Sequence, residues 1–152
     1  MVQVLEFRYL CKAVDFIARN ALTKKLGTST GGEEFTQDTI DEVLELCGKS
    51  HIQGLSILGG EPMNPENIEG TGKLAKAFKE KYPEKSLWGW SGYKFEDYLS
   101  KQDQIKYFDV IVDGQFVNEK RNPKLDWKGS ENQRVIDVQK SLKEQKVILY
   151  EK

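Results

Sequence analysis

From Thr36 onward the chain repeats one pattern: a helical stretch with an apolar face, a short apolar run, then a turn bearing glycine. Thr36 is placed to cap a helix in which Ile40, Val43, Leu44 and Cys47 share a face, and Gly48 ends it. Ile52 to Leu58 reads as a buried strand running into Gly59-Gly60-Glu61-Pro62. A second helix is expected from about Pro65 to Tyr82, with Leu74, Phe78 and Tyr82 on one side. Gly70 and Gly72 weaken its first half by roughly 1 kcal/mol each relative to alanine. Lys85 to Trp90 is the next strand, closed by Ser91-Gly92-Tyr93. A short helix from Lys94 to about Ser100 leads to a strand at Phe108 to Val112, closed by Asp113-Gly114. Residues 115–134 are rich in breakers, and a last strand is expected at Lys146 to Tyr150. Strand–helix–strand units of this length predict an α/β fold with a mostly parallel sheet. Ligands of such sheets sit beyond the carboxyl ends of the strands, where these turns lie.

The N-terminal stretch differs. Leu10, Ala13, Val14, Ile17, Ala18, Ala21 and Leu22 follow the spacing of an amphipathic helix. With 152 residues the chain suits one domain; a full eight-stranded barrel needs ~250, so at most a partial barrel fits. A net charge of −1, with no basic stripe, argues against a nucleic-acid partner. No apolar run approaches the ~18 residues of a membrane span and no signal-peptide h-region is seen, so a cytoplasmic protein with no membrane partner is expected. Cys11, Cys47 and His51 are the whole stock of cysteine and histidine, too few and too far apart for the usual zinc sites.

Four turns carry candidate chemistry. In Gly59-Gly60-Glu61-Pro62 the glycines admit a ligand close to the backbone and Glu61 offers an acceptor; the same residues also make an ordinary strand-to-helix turn. Trp90-Ser91-Gly92-Tyr93 is more simply a turn. Gly129-Ser130-Glu131-Asn132-Gln133-Arg134 is a solvated loop or a binding loop, with no evident structural duty. Asp113-Gly114 reads as a strand end, His51 as structural and Cys47 as a small core residue.

Together these segments resemble a known family. GGEEFT at 31–36, IQGLSILGGEPMNPEN at 52–67, WSGYKFED at 90–97, FDVIVDGQF at 108–116 and KGSENQRVIDV at 128–138 are similar to the activating proteins of anaerobic ribonucleoside-triphosphate reductase. These are radical S-adenosylmethionine enzymes of the glycyl-radical activase group, and the likeness covers about four-fifths of the chain. The resemblance implies a partial (β/α) barrel holding a [4Fe-4S] cluster on a CxxxCxxC motif, with S-adenosylmethionine on its fourth iron. It also implies a 5′-deoxyadenosyl radical that takes a hydrogen atom from a glycine of the reductase large subunit, and a low-potential donor such as flavodoxin. Gly59, Gly60, Glu61 and Pro62 would then hold the methionine moiety, and Ser91, Asn132 and Arg134 would line the cofactor or partner face.

The family's three cysteines correspond to Val14, Ala18 and Ala21, none of which can bind iron. The substitutes have a pattern of their own. Read one nucleotide out of frame, the last two letters of TGT or TGC begin a valine or alanine codon. Ala and Val together make up on the order of one residue in seven, so three such coincidences fall below about one percent. ALTKKLGTST at 21–30, written GCT TTA ACA AAG AAA CTT GGG ACT TCA AC and preceded by T, becomes CFNKETWDFN one nucleotide earlier, which resembles the family's next segment. Codons compatible with residues 2–20 allow GPGIRVSIFVQGCRFYCKKC in the same frame. Residues 1 to about 30 thus read as an out-of-frame product and 31–152 as family-like, in one domain whose first strand and cluster loop are replaced by an atypical, possibly helical segment. Such a chain is expected to be inactive as an activase. A diverged relative with a true N-terminal helix is the other reading of this segment. Two rival functions remain: a cluster-free reductase-binding protein, and an unrelated small nucleotide-binding domain, which the absence of GxxxxGK[ST] and GxGxxG disfavours.

Overall fold

Apolar residues recur at every second position where the chain is extended and at every third or fourth where it is helical, and the two patterns meet in one layer of contacts. A computed structural model describes residues 7–13 (backbone alone), 35–59 and 61–152; Val14, Ala18, Ala21, residues 31–34 and Gly60 lie outside them. The elements are β1 (Phe7–Ala13), α1 (Gln37–Cys47), β2 (Ile52–Gly59), α2 (Ile68–Lys81), β3 (Ser86–Trp90), β4 (Val110–Asp113), β5 (Arg134–Asp137) and α3 (Val138–Glu144). They form a five-stranded sheet in the order β1-β2-β3-β4-β5. The central strands β2, β3 and β4 are parallel, while β1 and β5 pair antiparallel at the two edges.

Register assigns the faces. Leu55 is opposite Leu87, and Ile57, Gly89, Ile111 and Ile136 align across four strands. Those aliphatic residues join Ile40, Val43, Leu44 and Cys47 of α1, Leu74, Ala75 and Phe78 of α2, and Val138 of α3 in one buried core. On the other face Ser56 aligns with Trp88, Val110 and Asp137. There Trp127 and Tyr150 pack on Trp88, with ring centroids 5.2 Å away in each case.

Glycine is demanded at two close approaches. A Cβ on Gly54 would lie 2.3 Å from the Ser86 carbonyl oxygen, and one on Gly89 would lie 2.8 Å from the Phe108 ring. Gly72 likewise lets Gln104 approach α2, so the glycine that costs helix propensity serves the packing. The Tyr82 hydroxyl donates to the Leu44 carbonyl (2.7 Å) at the end of α1, beside Gly48.

Several expectations are corrected. The N-terminal helix is not found at its start: residues 7–13 form β1, so a first strand exists, and it is antiparallel. Phe7, Tyr9 and Cys11 alternate with Arg8 and Lys12, Leu10 being the exception, and the edge groups of β2 favour that period over the helical one. The mostly parallel expectation holds for the three central strands and fails at both edges. The helix expected at 94–100 is a series of turns ending in a short 3-10 segment, Leu99–Lys101, followed by another at Asp103–Tyr107. Thr36 precedes α1 as expected, its N–H donating to the Thr39 hydroxyl (3.2 Å). β5 and α3 replace the end of the predicted loop and the segment after it, and the final strand shrinks to a single bridge between Ile136 and Leu149.

Candidate functional site

Parallel strands leave their last carbonyl groups and the turns that follow on one edge, and here that edge is built around a carboxylate. Glu61 follows β2. Its Oε1 accepts from the Ser91 hydroxyl (2.7 Å) and the Met63 N–H (3.1 Å), and its Oε2 accepts from the Gly92 N–H (2.7 Å). Among the described residues Oε2 has one acceptor position left over, since a carboxylate oxygen takes about two hydrogen bonds. Ser91 in turn accepts from the Tyr93 N–H (3.1 Å), which sets its hydroxyl hydrogen toward Glu61. Pro62 is buried, and its carbonyl accepts from Thr71 of α2 (2.7 Å). The Met63 carbonyl accepts from the Tyr98 phenol (2.7 Å). Burial, then the charges of Tyr93 and Glu61, hold that phenol above its ordinary pKa.

A second carboxylate lies after β4. Asp113 is 1 % exposed, accepts from the Phe95 N–H (2.8 Å), and is gripped by Arg134 of β5 through Nε (3.0 Å) and Nη2. The outer face of the same guanidinium holds Glu96 through Nη1 (3.2 Å) and Nη2 (2.6 Å). The Arg134 bond lowers the Glu96 pKa, and the two carboxylates raise that of Arg134. Asn132 donates to the Gln115 carbonyl (2.8 Å), and Gln133 donates to the Gly114 carbonyl (3.0 Å) while accepting from the Gly129 and Ser130 N–H groups (2.9 and 3.1 Å). The 129–134 segment therefore has a structural duty after all: it seams β5 to the turn after β4, where Gly114 adopts φ +92°. Beside the Asp113–Arg134 pair opens a recess of about 390 Å³, lined also by Gly92, Lys94, Gly114, Gln115 and Asn132.

The structure thus brings Glu61, Pro62, Ser91, Asn132 and Arg134 to one edge of the sheet, with Gly59 ending β2 beside them. Gly60, Val14, Ala18 and Ala21 fall outside the described residues. Sequence reasoning missed Glu96, took Asp113 for no more than a strand end, and placed Gln133 in the candidate loop without its partners. A signal for Asp113 existed, because an aspartate closing an otherwise apolar strand must find a partner when buried. His51 lies exposed in the turn after α1, and Cys47 is fully buried in the core, as a small core residue would be. No helix among the described residues is long and apolar enough to cross a membrane.

Residues 15–136 match the family described as 4Fe-4S single cluster domain. An iron–sulfur cluster of that kind is held by cysteine thiolates, yet Cys47 is the one cysteine in that span and it points into the core. No group of three histidine, cysteine, aspartate or glutamate residues is assembled for a metal among the described residues. The residues present do not fit the cluster. No solved structure matches the chain. Among curated proteins, the anaerobic ribonucleoside-triphosphate reductase-activating protein of Enterobacteria phage T4 is 37% identical over 131 residues, covering 82% of this chain and 83% of that protein. Proteins of the same name from Vibrio cholerae and Escherichia coli are each 36% identical, over 68% and 67% of this chain and 69% and 68% of their own. With identity at this level running through most of both sequences, the chain belongs to the family of anaerobic ribonucleoside-triphosphate reductase-activating proteins.

Proposed function

We propose that this fold serves the activation of an anaerobic ribonucleoside-triphosphate reductase, the task in its relatives' names. The finer chemistry is the one the family resemblance implies, a glycyl radical raised on the reductase at the expense of S-adenosylmethionine in a partial (β/α) barrel. The observation that carries this reading is the Glu61 carboxylate, fixed by Ser91, Gly92 and Met63 at the edge where parallel strands end. Its remaining acceptor position would take the ammonium group of the methionine moiety, with Gly59, Gly60 and Pro62 shaping the turn around it. Ser91, Asn132 and Arg134 would border the cofactor or the incoming reductase segment. The cleavage itself needs a cluster that the residues of this chain do not fit.

A second reading, a cluster-free protein that docks on the reductase, is favoured by the same shortage of cysteines. One anaerobic experiment separates the two. The purified chain, and a version carrying the earlier-frame reading of residues 2–30 and treated with iron and sulfide, are each mixed with the reductase, S-adenosylmethionine and a low-potential reductant, and both complex formation and the electron paramagnetic resonance signal are recorded. An activase gives a glycyl-radical doublet, and a docking protein gives a complex without one. Failure to form any complex overturns both. Without the chelating iron, S-adenosylmethionine should bind the chain weakly; a calorimetric Kd in the micromolar range or below would contradict that.

A further inference from the structure

The match to a 4Fe-4S domain and the residues available to hold a cluster contradict each other, and the path of β1 sharpens the contradiction. Phe7 pairs with Gly59, next to Glu61, whereas Ala13 pairs with Ile52 at the other end of β2. β1 therefore delivers the chain to the edge opposite the candidate site. The separation along β2 is roughly 20 Å at about 3.3 Å per residue. Cys11 pairs with Leu55 inside the sheet, and Cys47 is 0 % exposed on the inner face of α1. Neither cysteine is placed for a site beside Glu61, and even together they fall short of the thiolates a cluster needs.

We infer that residues 1 to about 30 are translated one nucleotide out of frame, and that the same gene encodes the missing thiolates in the frame one nucleotide earlier. The inference rests on family membership and deepens the proposed function, since it says where the iron site of this activase went. Val14 supplies GT and Ala18 and Ala21 supply GC, so each becomes a cysteine codon only if the preceding codon ends in T. Codons 13, 17 and 20 must then be GCT for Ala13, ATT for Ile17 and AAT for Asn20. Every one of those residues has a synonymous codon that would break the set, so the protein sequence does not force the result.

The nucleotide sequence of codons 1–36 is the first test. Three terminal T bases and an open earlier frame down to codon 30 are expected; one other base at those three places overturns the inference. The second test is chemical. The chain as it exists and the product of a gene with the single surplus nucleotide near codon 30 removed and the upstream frame restored are each treated anaerobically with iron and sulfide. About four irons per chain are expected in the restored product, with no stoichiometric uptake by the present chain. Four irons in the present chain overturn the inference, as does a folded restored product that takes up none. If the restored product does not fold, the three codons decide alone. A restored product that binds iron but raises no radical on the reductase would sink the activase reading and leave the frame inference intact.

Discussion

Ser56 carries a buried hydroxyl that makes no hydrogen bond among the described residues, on the face of the sheet it shares with Trp88. An orphaned polar group of this kind costs about 1–3 kcal/mol of desolvation. Ser56→Ala should therefore raise the urea midpoint, by an amount equivalent to about 1 kcal/mol; a loss of stability would show that the hydroxyl is satisfied in solution. Glu61 is the opposite case, with three donors aimed at two oxygens. Glu61→Gln turns an NH2 group toward at least one of them and leaves a donor facing a donor. Unfolding should become easier by about 1–3 kcal/mol, read from the same titration. The two residues also mark what a sequence makes legible at this scale. Glu61 was found because glycine, glutamate and proline after an apolar run are a recognisable turn. Asp113 and Gln133 were named without their roles, because their partners, Arg134 and the Gly114 carbonyl, come from another strand or turn that no local pattern joins to them.

The same contrast holds for whole elements. α1, β2, α2, β3 and β4 were readable because each is long or apolar enough to show its own period. β5 was not: Arg134–Asp137 has four residues with a charge at each end, and it becomes a strand by pairing with β4. β1 shows both periods at once, and the choice between them is made by the edge of β2. Ladder pairing and the buried Ile136 hold β5, and Arg134 adds an electrostatic tie to Asp113 and Glu96, so that end of the seam should respond to pH. Arg134 lowers the Glu96 pKa below the ordinary value of about 4.3. A depressed carboxylate contributes stability above its unfolded pKa and loses it as pH falls through the lower, folded one. Glu96 is half exposed, so the contribution is about 0.2–1 kcal/mol. Glu96→Gln should lower Tm slightly at pH 7 and converge with the parent protein at acid pH. A gap in Tm that stays constant from pH 7 to pH 3 would assign the effect to packing instead.

At the scale of the molecule the sheet has two unlike covers. The helical face is closed by α1 and α2, elements near in sequence to the strands they cover. The other face is closed over Trp88 by Trp127 and Tyr150, whose rings also touch each other at 5.7 Å, while Trp90 donates its indole N–H to the Trp127 carbonyl (2.8 Å). Trp127 is held at φ +63°, a conformation a bulky residue adopts when its surroundings impose it. The aromatic cover joins segments far apart in sequence, and long-range closure gives little return until the sheet exists. Its contacts should then form after the folding transition state. Tyr150→Ala is expected to cost about 1–3 kcal/mol, with the loss appearing as faster unfolding and an almost unchanged folding rate. Stopped-flow tryptophan emission reads both arms, and the emission maximum of the folded variant should move to the red as water reaches Trp88. If the folding rate falls by the whole of the stability change, the aromatic face is part of the nucleus. The helical core would then be the side that closes late.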